Sequence, residues 1–152
     1  MTNDYTLSLN GAYLELTSKC NAKCPYCYNE SNNEALDELP LNTVRKIIDE
    51  ISDSDFPGIV FSSGEPFTYK YIFQVLQYAL SKNVKPTIIT NGMLLDHKTI
   101  KSLLSENISI QLTFDSIIPR EHDNLRGDGN FQKILDILTI ANELLVTDKL
   151  MI

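Results

Sequence analysis

Short apolar segments alternate with amphipathic segments along the whole chain, and this alternation constrains the fold more than any other feature. The predicted strands are residues 12–17, 58–62, 86–90 and 108–114, and residues 150–152 have the composition of the start of a fifth strand. Strands that alternate with helices form parallel βαβ units. The sequence therefore predicts an α/β fold.

The helical segments are marked by apolar residues at intervals of three and four positions. The four stripes are Val44, Ile47, Ile48 and Ile51; Ile72, Phe73, Val75, Leu76, Ala79 and Leu80; Ile100, Leu103 and Leu104; and Phe131, Ile134, Leu135, Leu138 and Leu145. Asp96 stands before the third stripe and is a suitable N-cap, because its carboxylate can accept hydrogen bonds from the first free N–H groups of a helix.

The predicted strand 108–114 distinguishes between two α/β architectures. Its side chains alternate, with Ile108, Ile110, Leu112 and Phe114 on one face and Ser109, Gln111, Thr113 and the following Asp115 on the other. Residues 12–17 alternate in the same way. A central strand covered by helices on both faces does not carry a polar face, whereas a barrel can use its interior as a site. We predict a partial (βα) barrel of four βα units plus the start of a fifth.

Composition and charge exclude several classes of protein. The net charge of −7 and the isoelectric point near 4.7 argue against a nucleic acid or an anionic membrane as the main partner. No apolar stretch approaches the ~20 residues that a membrane helix needs. Residues 1–6 include neither a basic nor an apolar region, so we expect no signal peptide and a cytoplasmic location. In that reducing compartment, clustered cysteines suggest metal or redox chemistry.

The three cysteines of the chain lie close together as Cys20, Cys24 and Cys27, with the spacing C-x3-C-x2-C. Thiolates on one short loop can bind three irons of a four-iron cluster, and the fourth iron then has no protein ligand. An iron with an open position can coordinate a small molecule. Electron transfer from the cluster can then drive chemistry on that molecule.

Two other interpretations of the cysteines remain open at this point. Cys24 and Cys27 resemble a glutaredoxin-type dithiol, which would make the chain an oxidoreductase of thiols. Three cysteines and a histidine would make a zinc-stabilised binding module. The candidate histidines are His97, in the first turn of a predicted helix, and His122, in a polar loop.

Small and polar residues follow each predicted strand. These segments are residues 18–27, 62–66, 90–92 and 115–116. Sites in α/β folds lie at the carboxyl ends of parallel strands. The unusual residues of this chain therefore fall on one predicted rim.

The cysteine motif, placed directly after the first strand and with Tyr26 before its last cysteine, resembles the radical S-adenosylmethionine (radical SAM) superfamily. The resemblance implies that Cys20, Cys24 and Cys27 hold a four-iron four-sulfur cluster. It also implies that SAM chelates the open iron through its amino and carboxylate groups. Reductive cleavage of SAM then gives a 5′-deoxyadenosyl radical that abstracts a hydrogen from the substrate, so the chain is expected to be an enzyme.

Four further segments are similar to motifs of the same superfamily. Ser63-Gly64-Glu65-Pro66 resembles the Gly-Gly-Glu-Pro segment that contacts the SAM amino group, with a serine in place of the first glycine. Residues 90–92 match Thr-Asn-Gly, and residues 113–116 resemble Ser-x-Asp-Gly. Residues 121–131 resemble a His-Asp-x-Leu-Arg-Gly…Phe stretch of peptide-modifying members. The implied cofactor-binding residues are Tyr26, Ser62, Ser63, Gly64, Glu65, Thr90, Asn91, Thr113, Asp115 and Arg126, with Arg126 suited to the SAM carboxylate.

The resemblance covers residues 12 to 145 and implies an incomplete core. We expect residues 1–152 to form a single domain with a cluster loop at 18–30, and we expect this fragment to have reduced activity alone or none. The implied partners are SAM, an electron donor protein and a substrate of peptide or protein type. Tyr13, Glu15 and Gln111 are predicted to face that substrate. The open sheet edge is a candidate docking site for a second chain.

Overall fold

A computed structural model describes residues 12–54 and 57–152 of the chain. The segment on which the expectation of no signal peptide rests lies outside these residues. The strands are β1 (Ala12–Glu15), β2 (Gly58–Ser62), β3 (Lys85–Thr90), β4 (Ser109–Leu112) and β5 (Leu150–Met151). The helices are α1 (Leu41–Ser52), α2 (Ile72–Ser81), α3 (His97–Ser105), α4 (Pro119–Arg126) and α5 (Asn130–Glu143). Within the described ranges, no helix has the length and apolar character that crossing a membrane requires.

The five strands form one parallel sheet in the order β1-β2-β3-β4-β5. Crossovers between parallel strands are right-handed, so an order that never reverses places every helix on the same face. This is the winding of a barrel, whereas a doubly wound sheet reverses its strand order. The predicted partial (βα) barrel is confirmed, and so is its fifth strand, which pairs with β4.

One face of the sheet is buried beneath the helices. A single row of paired apolar residues crosses all five strands: Leu14, Phe61, Ile88, Ile110 and Leu150. The stripes of α1, α2, α3 and α5 pack against this face and form one core. Burial of this apolar area is the main source of stability in such a fold.

The opposite face carries the polar residues that the sequence placed inside the barrel. Tyr13 and Glu15 are exposed, and Gln111 and Thr113 are half-buried. The alternation in β1 and β4 therefore distinguishes the two faces as predicted.

Two strands are shorter than predicted because their last residues form bonds outside the sheet. β1 ends at Glu15 rather than at residue 17, since Thr17 forms an antiparallel bridge with Glu38. β4 spans Ser109–Leu112 rather than 108–114. Beyond β4, Thr113 still donates its N–H to Thr90, but the N–H of Asp115 turns away to His122.

Four residues assigned to helical stripes do not lie in the core: Phe73, Phe131, Leu135 and Leu145. Phe73 is 55% exposed because it follows Ile72 by one position, about 100° around the helix, and it contacts Phe67 instead. Leu135 is partly exposed on α5. Leu145 lies beyond the end of α5 and is 87% exposed, with a left-handed backbone φ of 54°.

The prediction that His122 lies in a polar loop is wrong. Residues 119–126 form α4, which begins with Pro119 at its first turn, and the side chain of His122 is completely buried. The ring packs against both Phe114 and Phe131, tilted to the first at a centroid distance of 5.0 Å and edge-on to the second at 5.9 Å. Contacts with other elements therefore bury His122, whereas Arg120, Glu121 and Asn124 on the same helix stay exposed.

Candidate functional site

A cavity of about 230 Å³ opens at the carboxyl ends of the strands. It is lined by Tyr13, Cys20, Ala22, Cys24, Tyr26, Cys27, Tyr28, Asn29, Ser31, Ser62, Ser63, Gly64, Ile89, Thr90, Asn91, Thr113 and Arg126. The structure thus brings together all three cysteines and eight of the ten predicted cofactor-binding residues. Glu65 and Asp115 do not line it.

The cluster loop, residues 18–30, is anchored on both sides. On one side the N–H of Cys20 donates to the carbonyl of Asn32 at 2.9 Å. On the other side the carbonyl of Lys19 accepts from the N–H of Glu65 at 2.9 Å and from the hydroxyl of Thr68 at 3.0 Å. The backbone next to Cys20 is therefore fixed to the segment after β2.

Gly64 makes this close approach possible. Its φ is +51°, a conformation that glycine adopts without steric cost. A Cβ at this position would stand 2.2 Å from the carbonyl oxygen of Lys19 and 2.7 Å from that of Thr17. The residue must be glycine if the loop after β2 is to contact the cluster loop in this way.

Hydrogen-bond donors point at two of the cysteine sulfurs. The N–H of Ala22 lies 3.4 Å from the sulfur of Cys20, and Nδ2 of Asn91 lies 3.9 Å from it. Nη1 of Arg126 lies 3.8 Å from the sulfur of Cys24. Burial raises the pKa of Cys20, while the N–H of Ala22 acts to lower it. Cysteine binds metal as the thiolate, so the donor at Cys20 opposes the effect of burial in the direction that metal binding requires.

The described residues do not form a site for a single zinc ion. A zinc ion needs all its ligands within about 2.3 Å of one point. Within residues 12–54 and 57–152, no three His, Cys, Asp or Glu side chains converge closely enough to hold one ion. A four-iron cluster instead takes each cysteine on a different iron.

Neither histidine is available as a zinc ligand. His97 is exposed at the start of α3, away from the cysteines. The backbone N–H of Asp115 donates to Nδ1 of His122 at 3.2 Å, so Nε2 carries the proton and donates to Oδ1 of Asn130 at 2.7 Å. Both ring nitrogens of His122 are therefore engaged within the protein.

The dithiol interpretation is not supported either. A glutaredoxin-type thiolate is stabilised at the N-terminus of a helix. Cys24 and Cys27 lie in a turn closed by the N–H of Cys27 and the carbonyl of Cys24 at 3.2 Å. The next helix along the described chain begins only at Leu41.

Glu65 lies beneath the cavity and joins two of its walls. Its carboxylate accepts from the hydroxyl of Thr90 at 2.7 Å, from the N–H of Asn91 at 2.9 Å and from the N–H of Phe67 at 3.2 Å. Burial raises the pKa of Glu65, and these three hydrogen bonds oppose that shift. The structure thus shows Glu65 holding the ends of β2 and β3 together.

Asp115 and Arg126 form an ion pair beside the cavity. The Nε and Nη2 groups of Arg126 donate to the two carboxylate oxygens of Asp115, and the hydroxyl of Tyr26 donates to the same carboxylate at 2.7 Å. Arg126 holds the pKa of Asp115 below its usual value. Burial, followed by the hydrogen bond to Asp115, raises the pKa of Tyr26 to about 12.

Two buried hydroxyl groups in the cavity wall have no hydrogen-bond partner within the described residues. They are Oγ1 of Thr113 and Oγ of Ser31. A buried polar group without a partner costs free energy, so such groups mark where a polar ligand would bind. Thr113 was predicted as a cofactor contact. Sequence reasoning missed Ser31, whose position just beyond the cysteine motif is the only signal for it.

The serine that replaces a glycine of the superfamily motif keeps a left-handed backbone. Ser63 has a φ of 69°, and its hydroxyl accepts a hydrogen bond from Nδ2 of Asn29 at 2.7 Å. This bond to the cluster loop compensates for the strain that a side chain brings to that conformation.

A chain of buried hydrogen bonds connects α4 to the cluster loop. From His122 it passes to Asn130, whose Nδ2 donates to the carbonyl of Asn91 at 2.8 Å. Nδ2 of Asn91 in turn donates to Oδ1 of Asn21 at 2.9 Å. These hydrogen bonds of His122 and Asn130 were not predicted from the motif stretch at residues 121–131.

The parallel sheet and the cysteine-lined cavity at its carboxyl rim define an α/β barrel-type enzyme domain with a cofactor site in the usual position of such folds. The sequence profile of the Radical SAM superfamily matches residues 14–152. The chain belongs to this superfamily, whose cofactors are a four-iron four-sulfur cluster and SAM.

Similar proteins are named for different products. The chain is 28% identical over 145 residues to the antilisterial bacteriocin subtilosin biosynthesis protein AlbA of Bacillus subtilis, covering 93% of this chain and 32% of AlbA. It is 34% identical over 115 residues to the Fe-coproporphyrin III synthase of Methanosarcina barkeri, covering 74% of this chain and 28% of the synthase. The chain therefore spans about a third of the length of these relatives.

Solved structures share the fold. Streptococcus suis SuiB bound to S-adenosylmethionine superimposes with a TM-score of 0.77 at 21% identity, covering 90% of this chain and 32% of SuiB. SuiB bound to its precursor peptide SuiA gives a TM-score of 0.70, covering 86% of this chain and 30% of SuiB. At this level of identity the likeness concerns the fold.

Proposed function

We propose that the chain binds a four-iron four-sulfur cluster on Cys20, Cys24 and Cys27 and binds SAM in the adjoining cavity. The cluster would supply the electron that cleaves SAM to the 5′-deoxyadenosyl radical, which abstracts a hydrogen from the substrate. The observation that carries this proposal is the shared cavity, which is lined by three cysteines, by eight motif residues including Thr113, and by Ser31. The hydroxyl groups of Thr113 and Ser31 are both unpaired. Residues 1–152 would act as one domain with the cluster loop at 18–30.

The cavity wall offers hydrogen-bonding groups to SAM. The hydroxyl groups of Thr113 and Ser31 can donate to, or accept from, polar groups of the bound molecule. Glu65, which the motif resemblance assigns to SAM binding, also orders the backbone of Asn91. The side chain of Tyr26 is half exposed at the mouth and can cover part of a ligand.

A peptide or protein substrate is the second part of the proposal. It is supported by the likeness to a bacteriocin biosynthesis protein and to an enzyme that holds a precursor peptide. Tyr13 and Tyr28 are exposed in the cavity wall, and the hydroxyl of Tyr28 donates to Glu15 at 3.3 Å. This exposed aromatic and acidic surface lies where a substrate would meet the SAM site.

The remaining partners are also proposals. An electron donor protein would reduce the cluster, the protein would work in the cytoplasm, and a second chain would cover the open edge of β5. Since the chain spans about a third of its relatives, we expect the SAM cleavage step to be slow and substrate turnover to be reduced or absent with this chain alone. Normal substrate turnover by the isolated chain would contradict that expectation.

Reductive cleavage of SAM tests the proposal. The anaerobically reconstituted protein is incubated with dithionite and SAM, and 5′-deoxyadenosine and methionine are quantified by chromatography. We expect both products in equal amounts, and their loss in Cys24→Ala, which removes one cluster ligand. A reconstituted protein that contains iron and sulfide but forms neither product would contradict the proposed reaction.

A further inference from the structure

The guanidinium of Arg126 is fixed in one orientation beside the cluster loop. Its Nε–Nη2 edge is paired with Asp115, and its Cζ lies 5.2 Å from the centroid of the Tyr26 ring. Tyr26 also donates to Asp115, so the three side chains hold one another. Only 17% of the Arg126 side chain is exposed. These contacts leave the guanidinium little freedom to turn.

The nitrogen that Asp115 does not engage points at a cysteine. In a planar guanidinium, Nη1 projects away from the Nε–Nη2 edge. Here Nη1 lies 3.8 Å from the sulfur of Cys24, at the long end of a hydrogen bond to sulfur. Arg126 therefore presents a positive charge and an N–H donor to Cys24, with the neutralising carboxylate on its far side.

A donor and a positive charge at a ligand sulfur favour the reduced form of an iron–sulfur cluster, which carries one more negative charge. Partial burial strengthens the effect, because the effective dielectric constant is lower than in water. We propose that Arg126 is a positioning residue that acts on the cluster through Cys24 and raises its reduction potential, while Asp115 and Tyr26 hold the guanidinium in place. This inference rests on the proposed function, since it requires a cluster on Cys24.

The motif resemblance implies a different role for Arg126, namely pairing with the SAM carboxylate. The two roles differ in a measurable way. An arginine that binds only the SAM carboxylate changes the affinity for SAM and leaves the SAM-free cluster unaffected. An arginine that acts through Cys24 changes the potential of the cluster before SAM is added.

The test is a redox titration of the reconstituted protein without SAM, followed by electron paramagnetic resonance. Wild type is compared with Arg126→Met, which removes both the charge and the N–H donor. It is also compared with Arg126→Lys, which keeps the charge but lacks the planar guanidinium that Asp115 orients. Arg120→Met is the matched control, because Arg120 is exposed on the same helix and donates no hydrogen bond to a cysteine in the described part of the chain. SAM affinity is measured separately on each protein.

We expect the midpoint potential to become more negative in Arg126→Met, to shift less in Arg126→Lys and to stay at the wild-type value in Arg120→Met. Equal potentials in all four proteins would overturn the inference, as would a loss of iron loading in both Arg126 variants. If only Arg126→Met fails to load iron, the midpoint potential of Arg126→Lys decides: a more negative value than wild type supports the inference, and an equal value overturns it. Failure of wild type to assemble a cluster would instead refute the proposed function.

Discussion

Replacing Gly64 with alanine should disrupt the contact between the loop after β2 and the cluster loop. A left-handed φ costs a non-glycine residue about 1–2 kcal/mol. The new Cβ would also stand 2.2 Å from the backbone carbonyl oxygen of Lys19. Only a shift of the backbone can relieve this contact. Forced repacking of this kind costs about 1–3 kcal/mol more. We therefore expect a total loss of about 3 kcal/mol in the free energy of unfolding.

Gly129→Ala is a matched control for that measurement. Gly129 also has a left-handed φ, of +80°, but a Cβ there would meet no atom within 4 Å. Its substitution should cost only the conformational part, about 1 kcal/mol. The difference between the two variants in the free energy of unfolding therefore measures the cost of the close contact with Lys19.

Urea unfolding of the cluster-free protein measures the stability of both variants. The change in the urea midpoint gives the loss in free energy, provided that the dependence on urea concentration keeps the same slope. Iron bound per chain after reconstitution gives a second measurement, because a displaced Lys19 carries Cys20 with it. We expect Gly64→Ala to lose iron and Gly129→Ala to retain it. Equal losses of stability in the two variants, with full iron loading in both, would refute the argument that this glycine fixes the cluster loop.

Three further changes test other parts of the structure. His122→Leu leaves Oδ1 of the buried Asn130 and the part-buried N–H of Asp115 without their partner. It should cost about 3 kcal/mol in urea unfolding at neutral pH, whereas a loss under about 1 kcal/mol would contradict the hydrogen-bond network. Ser63→Ala should be less stable than Ser63→Gly by about 1 kcal/mol in the same assay. Both variants lose the hydrogen bond from Asn29, but only alanine keeps the strain of a side chain at a left-handed φ. Equal stabilities would contradict the argument that the backbone at this position is strained. Arg126 lowers the pKa of Asp115, so the pair stabilises the fold above the unfolded pKa of about 3.9 and loses this contribution as the pH falls below it. The stability difference between wild type and Asp115→Asn should therefore shrink from pH 7 to pH 3, and a constant difference would contradict the pair.

The elements that local patterns define well were predictable. β2 has the predicted bounds because an apolar run is enclosed by turn residues, and Asp96 caps α3 by accepting the N–H of Thr99 at 2.7 Å. The barrel-type winding followed from the polar faces of β1 and β4, since alternation reports which side of a strand is buried. The small and polar residues that follow the strands, with the cysteine motif among them, indicated the rim at which the cavity opens.

Features that depend on contacts between distant segments were not predictable. His122 sits in a polar run without helical periodicity, and its burial depends on Phe114, Phe131 and Asn130 from neighbouring elements. The hydrogen bonds that Glu65 accepts from Thr90 and from Asn91 were not predicted either. Local sequence carries no record of such partners, because they lie on other strands and helices.

Electron paramagnetic resonance of the anaerobically reconstituted, dithionite-reduced protein, with and without SAM, tests the central claim most directly. A cluster held by three cysteines keeps one iron open to SAM. The account predicts a reduced four-iron signal that changes shape when SAM is added and that is absent from Cys20→Ala. A correctly folded protein that gives no cluster signal, or a signal that SAM leaves unchanged, would contradict it.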